Sequence, residues 1–256
     1  MKILELFCGT KSFSNVAAQR GHEVFTIDIE EKFNPDLCMD IMLITPEMIL
    51  EKFGQPDVIW ASPPCQKFSV MTIYRNWIKE GDKYFPRNVD VIKSIEMVKH
   101  TLDLIDKLKP KFWIIENPRA MLRKQEFMPN DKRKTITYCQ YGLEYQKATD
   151  LWNNIESWNP KPMCSPKSPC HVRAPRGSKY GIQSGMSGFR LNRPNQKHPD
   201  ISMLRVGTRI RNGKVMGTLR PQDITTFNDA RIMRGIIPPK LCEEILDAIE
   251  QEIKNG

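Results

Sequence analysis

No uninterrupted apolar run in the 256 residues reaches the roughly 20 that a membrane-spanning helix needs, which excludes a transmembrane helix. The start, Met1-Lys2-Ile3-Leu4-Glu5-Leu6, has an acid at its fifth position and no cleavable signal pattern, so the expectation is a cytoplasmic protein without a membrane partner. The G-x-x-x-x-G-K-[ST] run that cradles phosphates is missing, which argues against ATP hydrolysis. There is no internal repeat. The seven cysteines are odd in number and scattered, unlike a disulfide frame; in a reducing compartment they read as thiols, a reactive nucleophile or metal ligands. Hydrophobic residues make up 40% and charged residues 27%, ordinary proportions that argue against wholesale disorder. The length suits one large domain, or one domain carrying a small second one.

Acids are nearly absent from one stretch. Residues 158–220 hold thirteen Lys and Arg against a single acid, Asp200. That stretch carries +12 while the whole chain carries +9, leaving −3 for the remainder. Basicity concentrated in this way suggests a polyanion partner, although a solvated surface with a chance excess has the same composition.

The first part of the chain alternates strand and helix. Apolar runs predict strands over 2–7, 22–27, 57–61 and 112–115, with a further one over 135–138. Helices are predicted over 12–20, ending at Gly21, and over 46–53, with Thr45 as N-cap and Pro46 in the first turn. A third is predicted over 89–108, where Val91, Ile95, Val98, Leu102 and Ile105 form one apolar stripe. Continuous apolar strands separated by helices give a parallel sheet covered on both faces. Ligands bind such sheets at the carboxyl ends of the strands, so the loops after Phe7, Asp28, Ala61 and Ile115 should share one cleft. From about residue 158 the pattern breaks into irregular chain rich in Pro, Gly and Ser. Asn212-Gly213, between short runs at 207–211 and 214–219, is a hairpin signal. A final helix over 239–253 carries Leu241, Ile245, Ile249 and Ile253 for docking on the first part. The expected divisions are 1–157 for cofactor binding and catalysis, 158–220 as a small basic recognition region, and 221–256 returning to the first domain.

Three places carry chemistry. In Ala61-Ser62-Pro63-Pro64-Cys65-Gln66, two prolines fix the backbone and remove two amide donors just after a buried strand. Cys65 there is either a nucleophile on a rigid turn or a structural cysteine. Glu116-Asn117-Pro118 follows the apolar run Phe112-Trp113-Ile114-Ile115. Burial of Glu116 would raise its pKa and let it carry a proton; the other reading is a capping or salt-bridged acid. Phe7-Cys8-Gly9-Thr10 after the first strand and Asp28-Ile29-Glu30 after the second have the layout of a nucleoside site, a turn near the ligand and a carboxylate for ribose hydroxyls.

Together these segments resemble the cytosine-C5 DNA methyltransferases, and the resemblance covers most of the chain. Leu4-Glu5-Leu6-Phe7-Cys8-Gly9 resembles the first cofactor motif, and Asp28 with Glu30 the acidic ribose position. Met39-Asp40-Ile41 resembles the motif whose Asp meets adenine, and Ser62-Pro63-Pro64-Cys65-Gln66 with Phe68-Ser69 the catalytic loop. Glu116-Asn117 resembles the segment supplying the catalytic glutamate, and Pro238-Pro239-Lys240-Leu241 the last motif. Ala174-Pro175-Arg176-Gly177-Ser178 is similar to small phage-encoded members. Departures are the single glycine in the first turn, Pro118, Lys147 where an arginine is usual, and Arg234 before Gly235.

The resemblance implies an α/β, Rossmann-like S-adenosylmethionine-dependent methyltransferase fold with a small, basic, irregular DNA-recognition insertion. It implies methylation of cytosine C5 in double-stranded DNA by a monomer, in a bacterial or phage-infected cell, with restriction–modification as a setting. Cys65, Glu116 and Lys147 would be catalytic. Phe7, Cys8, Gly9, Thr10, Asp28, Ile29, Asp40, Ile41 and Pro63 would bind the cofactor. Gln66, Arg75, Arg176, Lys179, Arg190, Arg193, Arg209 and Arg211 would contact DNA. Residues 67–87 read as a mobile loop closing over DNA, or as a surface excursion with its own small core. The rival functions are a methyltransferase acting on an exocyclic amine, a fold that only grips nucleic acid, and transfer of a group other than methyl, the last motivated by Arg234. Cys164, Cys170 and His171 lie close in sequence; with Cys139 or His198 they would make a zinc site, and otherwise they are thiols.

Overall fold

The computed structural model describes residues 1–143, 146–170, 210–211, 214–215 and 235–255. Its elements, in chain order, begin with β1 (Lys2–Leu6), α1 (Ser12–Gln19), β2 (Glu23–Asp28), β3 (Leu37–Cys38), α2 (Pro46–Lys52) and β4 (Val58–Ala61). Then come α3 (Ile73–Asn76), β5 (Trp77–Glu80), β6 (Lys83–Pro86), α4 (Val89–Leu108), β7 (Phe112–Pro118), β8 (Arg133–Thr137) and β9 (Ala148–Asn153). The last elements are β10 (Ile210–Arg211), β11 (Lys214–Val215) and the terminal helix α5 (Pro239–Asn255).

Seven strands form one sheet in the order β3-β2-β1-β4-β7-β9-β8. The pairs β2–β3, β1–β2, β1–β4 and β4–β7 are parallel. The chain builds outward from β1 through β2 to β3, then returns to lay β4 on the other side of β1. The strand order therefore reverses between β1 and β4, and there the loops leaving the two strands diverge and open a crevice. This is the α/β, Rossmann-like arrangement expected.

Burial of both sheet faces explains why the strands read as continuous apolar runs. Along β1, Leu4 and Leu6 join a core with Ile27, Ile59, Ala61 and Ile115 and with Ile49, Val91, Val98 and Leu104 of α2 and α4. Glu5, between them in sequence, meets α1 instead, where the Ser14 backbone N–H donates to its Oε2 at 2.8 Å. Phe13 of α1 stacks on Trp60 of β4, with centroids 4.5 Å apart.

The helix ends follow local chemistry. Thr45 Oγ1 accepts the Met48 N–H at 3.3 Å, and Asn88 Oδ1 accepts that of Val91 at 3.2 Å. Helix α4 spans 89–108 as expected, but its buried face is Val91, Val98, Thr101, Leu104, Ile105 and Leu108. Ile95 and Leu102 of the expected stripe are only half-buried. Helix α5 packs along α1: Arg20 pairs with Asp247 at 2.6 Å and Glu250 at 3.0 Å, and His22 with Glu250 at 3.0 Å.

Three features differ from the sequence expectation. Strand β7 continues to Pro118, so Glu116 and Asn117 lie inside the strand. Strand β9 had no predicted counterpart. Residues 67–87 contain the antiparallel hairpin β5–β6, with Trp77 opposite Pro86 and Glu80 opposite Lys83. Phe68 and Trp77 are buried with ring centroids 6.0 Å apart, and Trp77 Nε1 and Asn76 Nδ2 both donate to the Lys67 carbonyl. Phe68 and Trp77 belong to the same buried core as Leu6, Ala61 and Val91, so the excursion is anchored in the main core and not in a small core of its own.

The chain divides into two compact units. The first is Met1–Lys134, Asp150–Pro160 and Pro239–Gly256. The second is Thr135–Thr149 and Lys161–Pro238. Within the second, the Tyr138 N–H donates to the Lys147 carbonyl at 3.1 Å, and Cys164 N–H to Thr137 Oγ1 at 2.8 Å. Strands β10 and β11 pair antiparallel, Ile210 with Val215 and Arg211 with Lys214, on either side of the predicted Asn212-Gly213 turn.

Candidate active site

The parallel registers align Leu6 with Ile27, Leu6 with Ala61, and Ala61 with Ile115. These four residues form one row across adjacent strands, and the next residues along each strand stand at the same rim. That rim receives Cys8 and Gly9 after β1, Asp28 and Ile29 at the end of β2, the Pro63–Cys65 turn after β4, and Glu116 and Asn117 on β7. Asp40 joins it after β3, where the Met39 N–H donates to the Asp28 carbonyl at 3.0 Å.

The β1 turn is built from alternate left-handed residues, Phe7 (φ 57°), Gly9 (φ 47°) and Lys11 (φ 55°). Only one of the three is glycine, so two side chains sit where they cost roughly 1–3 kcal/mol each and persist only because other contacts impose the path. Asp28 supplies those contacts: its Oδ2 accepts the Gly9 N–H and its Oδ1 the Glu30 N–H, both at 2.9 Å. The Cys8 N–H donates to the Ile27 carbonyl at 3.1 Å, and Lys11 Nζ reaches the Asn34 carbonyl. Thr10 and Ser12 share a hydroxyl hydrogen bond of 2.9 Å. Glu30 pairs with Lys32. Asp40 Oδ1 accepts the Met42 N–H at 3.0 Å, and the neighbouring Ile41 is buried.

This end of the rim suits a nucleoside-bearing cofactor. A Cβ built on Gly9 would meet nothing within 4 Å, so space lies open before the turn. Ile29 is 64% exposed beside Asp28, an apolar surface available to a flat ring.

At the other end, the turn after β4 is held by donors from elsewhere, since prolines cannot donate. Asn117 Nδ2 donates to the buried Pro63's carbonyl at 2.9 Å, tying β7 to the turn. The Phe68 N–H closes on the Cys65 carbonyl at 3.0 Å, and Thr72 Oγ1 on that of Gln66 at 2.8 Å. Cys65 is half-buried in this frame, while Glu116 is 6% exposed. Asn117 Oδ1 is buried with no hydrogen-bond partner among the described residues, an acceptor left beside Glu116.

The other cysteines are poorer nucleophiles or lie elsewhere. Burial, with Asp28 and Glu5 nearby, pushes the Cys8 thiol up to about 12, and burial pushes Cys242 well up too. Cys139 is raised by burial and by its neighbours Cys164 and Cys170. Cys38 lies exposed on edge strand β3.

Sequence reasoning missed Asn117 as the clamp on the proline turn and Asp28 as the clamp on the first turn. The signal for the former was present: a Pro-Pro turn without donors needs an amide nearby. Lys147 lies in the second unit, buried, its Nζ 4.6 Å from the Tyr138 ring centroid. Gln66 and Arg75 are exposed. Arg211 lies in β10. Arg176, Lys179, Arg190, Arg193, Arg209, His171, His198 and Arg234 lie outside the described residues.

Residues 1–150 match the family model of the C-5 cytosine-specific DNA methylases. The chain belongs to this family. Family members use S-adenosylmethionine, in keeping with the features of the rim beside Gly9. A "Probable DNA (cytosine-5)-methyltransferase" of Frog virus 3 (isolate Goorha) is 32% identical over 177 residues, covering 66% of this chain and 78% of the viral protein. The type II methyltransferase M1.HgaI of Avibacterium volantium is 26% identical over 145 residues, 52% of this chain and 37% of its own length. Among solved structures, methyltransferase EhMeth of Entamoeba histolytica superposes with a TM-score of 0.41 at 14% identity, over 63% of this chain. The chain spans about half the length of that structure, 55%. Among the described residues, no helix is long and apolar enough to cross a membrane.

Proposed function

We propose that this C-5 cytosine methylase acts on duplex DNA with Cys65 as nucleophile and Glu116 as the acid beside it. One observation carries the assignment. Cys65 leaves β4 at the point where strand order reverses, and Glu116 follows Ile115, the β7 residue in register with the last residue of β4. The family match does not favour a fold that merely grips nucleic acid, or one that transfers a different group.

Cytosine C5 is a weak nucleophile. Addition of the Cys65 thiolate to C6 pushes an electron pair toward C5 and onto N3. Glu116 holds a proton at N3, stabilising the charge that builds there, from a buried position where such an interaction is strong. S-adenosylmethionine supplies the electrophilic methyl group. Loss of the C5 proton then returns the electron pair that expels Cys65. Lys147 is assigned to the base carbonyl, replacing the usual arginine with a point charge. Phe7–Thr10, Asp28, Ile29, Asp40, Ile41 and Pro63 are assigned to the cofactor, with Asp28 holding the turn as well.

C6 is unreachable inside a stacked duplex, so the target base must be flipped out. Gln66 and Arg75, exposed around the 67–87 excursion, are assigned to DNA. Arg176, Lys179, Arg190, Arg193, Arg209 and Arg211 are assigned to it within the basic region 158–220, supplying phosphate contacts and a steep salt dependence. The protein is taken to be a monomer in the cytoplasm of a bacterial or phage-infected cell; sedimentation with one duplex per chain tests the stoichiometry.

The test is trapping on duplex DNA containing 5-fluorocytosine in varied sequence contexts. Fluorine blocks the final elimination, so a denaturation-resistant adduct heavier by one methyl is expected with the wild type and none with Cys65→Ser. Tight binding without an adduct in any context would overturn the assignment.

A further inference from the structure

The second unit gathers three thiols that the methyl-transfer site does not use. Cys139 stands in the turn Tyr138–Tyr141 that follows β8. Cys164 and Cys170 end the run Cys164-Ser165-Pro166-Lys167-Ser168-Pro169-Cys170. That run is folded back on itself: the Ser168 N–H donates to the Ser165 carbonyl at 3.0 Å, and the Ser165 N–H to Ser168 Oγ at 2.9 Å. The Cys164 N–H is tied to Thr137 Oγ1 and its carbonyl to Gln146 Nε2, which brings the run against the Cys139 turn. The sulfur atoms of Cys139, Cys164 and Cys170 all lie within 4.8 Å of one another.

We propose that Cys139, Cys164 and Cys170 are the protein ligands of a structural zinc ion. Zn–S bonds of about 2.3 Å at tetrahedral angles place ligand sulfurs roughly 3.8 Å apart. Cys139 and Cys170 are separated by 3.7 Å, so the site needs only small movements to close on the ion. A disulfide requires about 2.05 Å between sulfurs and would leave the third cysteine out. Among the described residues no fourth His, Cys, Asp or Glu joins the group, so the fourth position falls to water or to a ligand from outside them. On binding, three S–H bonds break, three Zn–S bonds form, and three protons go to solvent. With a neutral fourth ligand the site carries one negative charge. Because binding releases those protons, zinc uptake should weaken as pH falls.

The segment needs such a staple. None of residues 161–170 is buried, so apolar packing contributes little to holding them in place. The ion would fasten this stretch, where the basic region begins, to the end of β8.

The test uses the full chain, purified without chelators in zinc-free buffers. Elemental analysis should find close to one zinc per chain in the wild type and in Cys38→Ser, whose exposed thiol lies outside the cluster. In Cys164→Ser and Cys170→Ser it should find less than a fifth of that. Should those variants fail to fold, the wild type still decides. Replacement by cobalt should give a charge-transfer band with the intensity of three thiolates, and chelation should make three further thiols reactive toward a disulfide reagent. Wild-type protein that carries no zinc and takes up neither metal on stoichiometric titration would overturn the proposal. So would uptake that is equal in wild type and both cluster variants.

Discussion

Glu5 offers a direct test of how the first layer is built. It stands inside β1, 2% exposed, with the Ser14 N–H donating to its Oε2 at 2.8 Å. Burial pushes its carboxyl up from 4.5 to about 7, while hydrogen bonds from the start of α1 pull the other way. Between those values the folded chain holds a proton that the unfolded chain has lost. Stability is therefore fully present below about 4.5 and falls as pH rises through the folded value. At about 1.4 kcal/mol per pH unit, the interval from 4.5 to about 7 is worth about 3 kcal/mol. Glu5→Gln keeps an acceptor for Ser14 and removes the titration. Urea unfolding of both proteins from pH 5 to pH 8 cancels every other titrating group in the difference. The variant should gain about 2–3 kcal/mol on the wild type across that range. A difference constant to within about 0.5 kcal/mol would mean that Glu5 ionises as freely as in the unfolded chain, and the dry β1–α1 layer would be refuted.

Three further outcomes rest on named contacts. Asp28→Ala removes the acceptor of two backbone N–H groups, each such bond worth about 1.5–3 kcal/mol. It should lower unfolding free energy by about 2–4 kcal/mol and weaken S-adenosylmethionine binding at least about tenfold by calorimetry, with Asp28→Asn losing less; equal behaviour of the two variants would contradict the clamp. Glu250→Gln breaks the ion pair of α5 with Arg20 and disturbs the hydrogen bond to His22, both partly open to solvent, so it should cost only about 1 kcal/mol and less in 1 M salt. Trp77→Ala removes the ring packed on Phe68 and the bond to the Lys67 carbonyl. Trypsin should then cut after Lys79 or Lys83 at least about tenfold faster, reporting local opening rather than global unfolding; an unchanged rate would mean that the excursion does not depend on this core.

The sheet was legible because its strands are buried on both faces, so apolar runs mark them without reference to neighbours. The run Phe112-Trp113-Ile114-Ile115 located β7 but not its end: the strand continues through Glu116 and Asn117, whose polarity reads as a boundary. Strand β9, Ala148-Thr149-Asp150-Leu151-Trp152-Asn153, was invisible for the same reason. Its Asp150 is wholly buried and pairs with Arg123 at 2.9 Å, a contact made far along the chain that no local pattern encodes. The β5–β6 hairpin hid behind its charge, since Lys79, Glu80, Lys83 and Arg87 make the stretch look like open loop while Trp77, with Tyr84 half-buried, anchors it in the core.

The catalytic turn was readable because proline and cysteine act locally. The cofactor turn was located by its place after β1, but its backbone path was not legible, because a glycine count stands in for that path. Phe7 and Lys11 take left-handed positions without being glycine, so something outside the turn must hold them there. Asp28 does so from the end of the next strand, and Asn117 does the equivalent for the proline turn from β7. Both clamps are side-chain groups that reach across to the backbone of a neighbouring strand's turn, and both sit at the rim where β1 and β4 part. A turn poor in glycine is thus no sign of a lost site. It moves the burden of shaping the backbone from the turn itself to Asp28, and the turn's geometry should be as sensitive to that carboxylate as to any residue within it.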